Sequence, residues 1–262
     1  GLLTRPFRSI AFRLATHVVP VSEVARHDVC DRHGVRPGRC TVIQTRRPDP
    51  AEALGIAHVP SPHGRRIVCV GRLVPSKGQD LLLRAFARLV ELEPEWPSAL
   101  ELIGDGPLRE AYADLAERLG IRDRVELSGH VPHDEVFARA ARADVMVVPF
   151  RTDAGPGVLA EGLGLGLPLV ACGTGAMPEL VGGSSAVRLV PAEDPEAMAV
   201  ALRAILADAS IRAAMSREAR ALFRREFHID AWIAEVLQLL DDAAREARLI
   251  AAPRHAPLPA EP

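Results

Sequence analysis

The chain has 262 residues, of which 48% are apolar and 25% charged, and its formal net charge is −2. This is the balance of an ordinary globular protein, with enough apolar mass for one large domain or for one domain plus part of another. The near-neutral charge argues against nucleic acid as a main partner, and no apolar run approaches the length of a membrane span.

The opening segment places Arg5, Arg8 and Arg13 among Leu, Phe and Ile. It reads as a helix packed in a domain; a peripheral, basic contact with a membrane surface is the second reading. The chain starts at Gly1 in what reads as mid-protein sequence, so a piece of a longer protein is expected. A strand-like run at 18–21 precedes Ser22, a plausible cap for a helix over 23–33. Another short apolar run follows at 41–43. Residues 46–65, rich in Pro, Ala and His, read as a linker.

From residue 66 onward, short apolar runs alternate with helix-length segments. The runs are 67–70, 99–103, 125–127, 145–148, 169–171 and 187–190. They lack period-two alternation, as strands covered on both faces do. Between the first runs, Leu82, Ala85, Phe86 and Leu89 recur at helical spacing, and so do Leu108, Tyr112, Leu115 and Leu119. Such alternation predicts an α/β fold with a doubly wound parallel sheet. Helices are predicted near 195–208, 210–225 and 230–248, and the Pro/Ala-rich end, 251–262, reads as disordered.

The four cysteines, Cys30, Cys40, Cys69 and Cys172, lack paired spacing. Cys69 and Cys172 sit in apolar runs and read as buried strand thiols, with no disulfide framework or metal site indicated. A reducing, cytoplasmic compartment is expected, and no secretory signal is visible.

Ligands of open parallel sheets bind outside the carboxyl ends of the strands, where four segments fall. In the first, Gly71-Arg72-Leu73 to Lys77-Gly78, two cations flank a turn that opens a helix. A cation there is opposed by the helix dipole unless an anion lies between, and an Arg fork with a mobile Lys suits a diphosphate. The second, Gly104-Asp105-Gly106-Pro107, reads as a tight structural turn. The third carries His130, Val131 and His133; Gly129 could expose backbone there to a base, and surface or cap histidines are favoured over a metal pair. The fourth runs from Asp153 through Gly155, Pro156, Gly157 and Val158 to Glu161. It sets two carboxylates eight residues apart across a Gly/Pro turn that opens a helix, whose N-terminus and small residues can receive phosphate or sugar oxygens.

In combination these segments resemble the retaining, family 4 glycosyltransferases of GT-B fold, over about residues 16–240. Residues 71–78 look like that family's "GRL-x-x-x-KG" loop and 104–107 its "GDGP" turn. Residues 144–149 resemble its "ADV-x-V-x-P" strand. Asp153 to Glu161 is similar to its Glu–seven residues–Glu motif, followed by "G-x-P-x-VA" at 166–171 and "PE" at Pro178-Glu179. The resemblance implies a sugar moved from a UDP- or GDP-linked donor to an unidentified sugar, lipid or metabolite acceptor, with retained configuration and no metal or other cofactor. It implies catalytic roles for Arg72, Lys77 and Asp153. Arg72 and Lys77 would hold the diphosphate, Glu161 the ribose hydroxyls, and Asp153 with the backbone of 155–157 the sugar; Gly71, His130, Val131 and Val158 would complete the donor site. Its domains would be an N-terminal (acceptor) domain remnant at 1–48, a linker at 49–65, a nucleotide-sugar-binding domain at 66–228, and a crossing helix at 229–250.

Four departures stand out: Asp153 replaces Glu, Gly155 replaces a larger residue, Glu161-Gly162-Leu163 stands where the family has "EAM", and Gln44-Thr45-Arg46-Arg47 where it has an Asn-Gly pair. Most of the first domain is absent from this sequence, so the chain alone is expected to transfer little unless that domain or a complementary chain is present. The expected location is the cytoplasm, or the inner face of its membrane. A non-catalytic nucleotide-sugar-binding module, or one subunit of a split transferase, is the alternative; a sugar-nucleotide epimerase of the same fold is a third.

Overall fold

A computed structural model of the chain describes residues 10–12, 14–56, 58, 65–152 and 157–251. Six strands form one parallel sheet: β1 (Arg66–Val70), β2 (Ala99–Ile103), β3 (Val125–Gly129), β4 (Val145–Val148), β5 (Leu169–Cys172) and β6 (Val187–Val190). Their order across the sheet is β3-β2-β1-β4-β5-β6, the doubly wound arrangement with its reversal between β1 and β4. The six apolar runs read from the sequence are these strands to within two residues.

Alternate residues of the central strands face opposite layers. Ile67, Cys69, Val145, Val147, Val170 and Cys172 pack beneath α3 (Gln79–Leu92), α4 (Arg109–Arg118) and α8 (Pro195–Ala207). Val68, Met146, Val148, Leu169 and Ala171 pack against α5 (His133–Ala140), α6 (Gly157–Leu165), α7 (Met177–Val181) and α9 (Ala209–Leu222). In α3 the predicted apolar stripe of Leu82, Ala85, Phe86 and Leu89 is wholly buried. Each of its larger side chains contributes roughly 1.5–3 kcal/mol relative to an exposed position. Asp144, also buried, accepts a hydrogen bond from the Arg66 N–H at 2.9 Å and ties the start of β4 to the start of β1. Burial raises the Cys69 thiol to about 12 and the Cys172 thiol to about 11, so both are inert thiols in the core.

Before the sheet, α1 (Glu23–His33) is capped by the Ser22 hydroxyl, as predicted, and its first N–H also donates to Glu179 of α7 at 2.9 Å. The run at 18–21 departs from its strand reading. It makes only a parallel bridge, with Val18 and Pro20 paired to Arg39, Thr41 and Ile43 through backbone hydrogen bonds of 2.8–3.1 Å. Pro20 has no N–H with which to extend the ladder. That bridge sets the Cys30 and Cys40 sulfurs 4.0 Å apart as free thiols, a proximity that their sequence spacing did not suggest.

The segment read as a linker also carries structure, since Pro50–Leu54 form a short helix, α2. Asp49 caps it and pairs with Arg220 at 2.7 Å, and Pro50 is buried against Gly164. An Asp-Pro step is itself a helix-start signal. Helix α9 ends in a π-turn (Phe223–Phe227) that leads into α10 (Ile229–Ala251). Exposed Ile233, Leu237 and Leu240 line one side of α10. No described helix is long and apolar enough to cross a membrane. The opening arginines Arg5, Arg8 and Arg13 and the tail beyond 251 lie outside the described residues.

Candidate functional site

Strands β1 and β4 are neighbours, yet α3 and α6, which follow them, cover opposite faces. Loops that diverge in this way open a crevice at the carboxyl edge of the sheet. Its first wall is the β1–α3 loop. The Gly71 N–H donates to the Ile103 carbonyl and the Leu73 N–H to that of Asp105, both at 3.0 Å. The Gly104–Pro107 turn therefore props this loop, and a Cβ on Gly104 or Gly106 would run into the carbonyls of Gly71 or Leu73. That is the structural role read for this turn.

Gln79, fully buried, donates its side-chain amide to the Arg72 carbonyl at 3.0 Å. A 3-10 turn (Pro75–Lys77) then leads to Gly78, whose φ of 65° and contact with the Pro149 carbonyl leave no room for a side chain. Arg151 locks the wall from outside. Its guanidinium holds Asp80 at 2.7 and 2.8 Å, Glu193 at 2.5 Å and the Pro75 carbonyl at 2.8 Å. Beside that guanidinium the Asp80 carboxyl is held below its ordinary range.

On this braced backbone Arg72 is exposed and makes no side-chain hydrogen bond or ion pair among the described residues. The Lys77 ammonium lies 3.7 Å from the centroid of the Phe150 ring, just beyond β4. This contact carries the loop across to the neighbouring strand.

The second wall is the start of α6. Asp153, Gly155 and Pro156 lie outside the described residues. Gly157 is the first residue of α6, Val158 is half-buried, and Glu161 stands a little over one turn in, also half-buried. Burial pushes the Glu161 carboxyl above its ordinary range, while Arg47 and His133 pull it the other way. Arg47 is a new member of the site, with a guanidinium nitrogen 2.6 Å from where a Gly157 Cβ would stand. His133 opens α5 and meets Phe137 edge-on at 4.5 Å. Exposed His130 and half-buried Val131 precede it at the same edge. No group of three or more His, Cys, Asp or Glu among the described residues is placed to hold a metal.

The structure thus brings Gly71 and Lys77 together over Phe150, and Gly157 and Glu161 together with Arg47 and His133. Arg151 and Phe150 were missed in the sequence although they directly follow a strand. Arg47 falls in the 44–47 departure from the family pattern, but nothing local places it at the site. A cavity of about 260 Å³ lies at the other, amino edge of the sheet, lined by Arg66, Glu101, Glu126 and Arg139 among others. The shared partner of three glutamates there is Arg139, which holds Glu101 at 2.9 Å, Glu126 at 3.2 Å and Glu135 at 2.6 Å. The carboxyl-edge crevice is the candidate site.

Residues 64–208, more than half of the chain, match the family model described as glycosyl transferases group 1. The chain belongs to that family. Among curated group 1 relatives, it is 35% identical over 198 residues to the GDP-mannose-dependent alpha-(1-6)-phosphatidylinositol monomannoside mannosyltransferase of Mycolicibacterium smegmatis, a match covering 72% of this chain and 48% of that protein. It therefore spans about half the length of that relative.

Among solved structures, sucrose-phosphate synthase from Thermosynechococcus elongatus superposes with a TM-score of 0.78 at 22% identity, covering 94% of this chain and 63% of the other. Anabaena HepE in complex with UDP-glucose superposes with a TM-score of 0.75 at 21% identity, covering 88% and 65%. These likenesses establish the Rossmann-like half of a GT-B fold, as the sequence resemblance implied.

Proposed function

We propose that the chain supplies the donor-binding half of a retaining glycosyltransferase, one that holds a UDP- or GDP-linked sugar in the β1/β4 crevice for transfer to an acceptor hydroxyl. One observation supports this reading: the loop bearing Arg72 and Lys77 follows β1, and the helix bearing Glu161 follows β4, the two neighbouring strands at which the sheet order reverses. The bond between the anomeric carbon and the diphosphate oxygen breaks as the acceptor oxygen bonds to that carbon; the diphosphate takes the electron pair and the acceptor hydroxyl's proton. Arg72 and Lys77 are aimed at that growing charge and need no metal. Glu161, acceptor-only when ionised, suits a pair of ribose hydroxyls. Asp153 and the backbone of 155–157 are assigned to the sugar.

GDP-mannose, the donor of the mycolicibacterial relative, is the first to test, and UDP-glucose, bound in the HepE complex, the second. The same relative's name makes an inositol-bearing lipid the first acceptor class to try. Such an acceptor would put the chain at the inner face of the membrane. Residues 1–48 are assigned to the acceptor-domain side, 66–228 to the donor domain and 229–250 to the crossing helix.

Because the chain spans about half of its relative, we assign it donor binding without appreciable transfer by itself, as in one subunit of a split transferase. Closing the cleft, excluding water and aligning the acceptor would fall to the other half. The test is calorimetric titration with UDP, GDP and their sugars. Arg72→Ala and Glu161→Ala are each expected to weaken binding at least tenfold, or about 1.4 kcal/mol. Unchanged affinity in both variants would end the site assignment, and rapid transfer by the chain alone would end the division of labour.

A further inference from the structure

We infer that Arg47 is a third cation for the donor's diphosphate, delivered to the crevice from outside the sheet by the segment that precedes α2. This rests on the reading of the crevice as a nucleotide-sugar site. The backbone of Arg47 is fixed on both sides: its N–H donates to the Phe227 carbonyl at 2.8 Å, and its carbonyl accepts from the Ile229 N–H at 3.1 Å. From that anchor the side chain reaches the first residue of α6. One guanidinium nitrogen comes within 2.6 Å of the place a Cβ would take on Gly157, so the bare glycine provides the room it occupies.

Its neighbour Arg46 shows the contrast. Arg46 is engaged, pairing with Glu235 at 2.8 Å and donating to the Glu226 carbonyl at 2.9 Å. Arg47 has no side-chain hydrogen bond or ion pair among the described residues, although Glu161 is near enough to feel its charge. A guanidinium against the positive end of a helix is repelled by the same N–H groups that attract anions. The arrangement becomes favourable when a phosphate shares the N–H groups of α6 and the fork of Arg47, as charge-assisted pairs do. Arg72 and Lys77 would then grip the same diphosphate from the opposite wall, and Glu161 would stay free for hydroxyl donors.

The experiment is titration of the full chain with UDP and GDP, and with uridine and guanosine as phosphate-free probes, in the unaltered protein and in Arg47→Ala, Arg47→Lys, Arg72→Ala and Glu161→Ala. Thermal unfolding of each variant checks that the fold is intact. Arg47→Ala is expected to weaken the diphosphates about tenfold and leave the nucleosides within twofold, with Arg47→Lys intermediate. Unchanged or tighter diphosphate binding in Arg47→Ala, alongside a loss in Arg72→Ala, overturns the role of Arg47 and leaves the donor site standing. Equal loss of nucleoside and diphosphate also overturns it, since Arg47 would then act on the fold and not on phosphate. If Arg72→Ala and Glu161→Ala also leave binding unchanged, it is the crevice reading that fails.

Discussion

The two edges of the sheet use their charges in different ways. At the amino edge, Arg139 is held by three carboxylates and Ser128 adds hydrogen bonds to Glu101 and Glu126, so within this cluster the charges answer one another. At the carboxyl edge, internal bonds are spent on backbone and scaffold through Gln79, Arg151, Asp80 and the Gly104 turn. Arg72, Arg47 and Glu161 are left without hydrogen-bond partners among the described residues. The difference lies in which charges have already been matched.

This contrast can be broken in order of expected effect. Gly78→Ala should cost most, roughly 3 kcal/mol or more, because a left-handed φ and the Pro149 carbonyl both oppose a side chain; urea unfolding measures it, and a loss under 1 kcal/mol would show that the loop can yield. Arg139→Ala should come next, with a smaller loss of stability than Gly78→Ala, because the pairs it breaks are part-exposed and screened by solvent. It leaves Glu101 and Glu126, directly opposite on adjacent strands, to repel each other. Nucleotide affinity should not change, and any weakening would blur the division between the edges.

Arg72→Ala is the mirror image, with at least a tenfold loss of nucleotide affinity and stability within about 0.5 kcal/mol of the parent. Glu161→Gln should have the smallest effect on stability and a diagnostic sign. The folded chain holds the Glu161 proton more tightly than the unfolded chain does, so ionisation costs stability as pH rises from about 4.3 through the raised folded value. Glu161→Gln should therefore be the more stable protein at neutral pH and the weaker nucleotide binder. Asp80 has the opposite sign: its lowered carboxyl contributes stability that is lost as pH falls through its folded value. Chemical unfolding between pH 3 and 8 would separate the two.

The sheet was legible because doubly buried strands need unbroken apolar runs, and each such run, from 67–70 to 187–190, became a strand. Nothing in those runs encodes that β1 lies beside β4, so the crevice had to be supplied by a general rule of parallel sheets. The cationic loop and the Glu161 segment were visible because glycines and charges cluster locally. Helix α2 was hidden by weighing the Pro-rich composition above the Asp49-Pro50 cap. Arg47 and the Cys30–Cys40 approach were not legible at all. Each arises where distant stretches of chain cross, Arg47 against Phe227 and Val18 against Cys40, and local spacing carries no record of such crossings.

One of those crossings has a mechanical consequence. Residues 46–47 and 226–229 meet in one parallel β-bridge of two backbone hydrogen bonds, with Arg46 pinned across it to the Glu226 carbonyl and Glu235. A bridge of that kind ties the two stretches at one point, so a displacement of one is passed to the other. Residues preceding 46 and the first turns of α10 should therefore swivel together, on a single pivot, relative to the sheet. Arg47 sits on that pivot, so any such swivel would also advance or withdraw its charge at the mouth of α6.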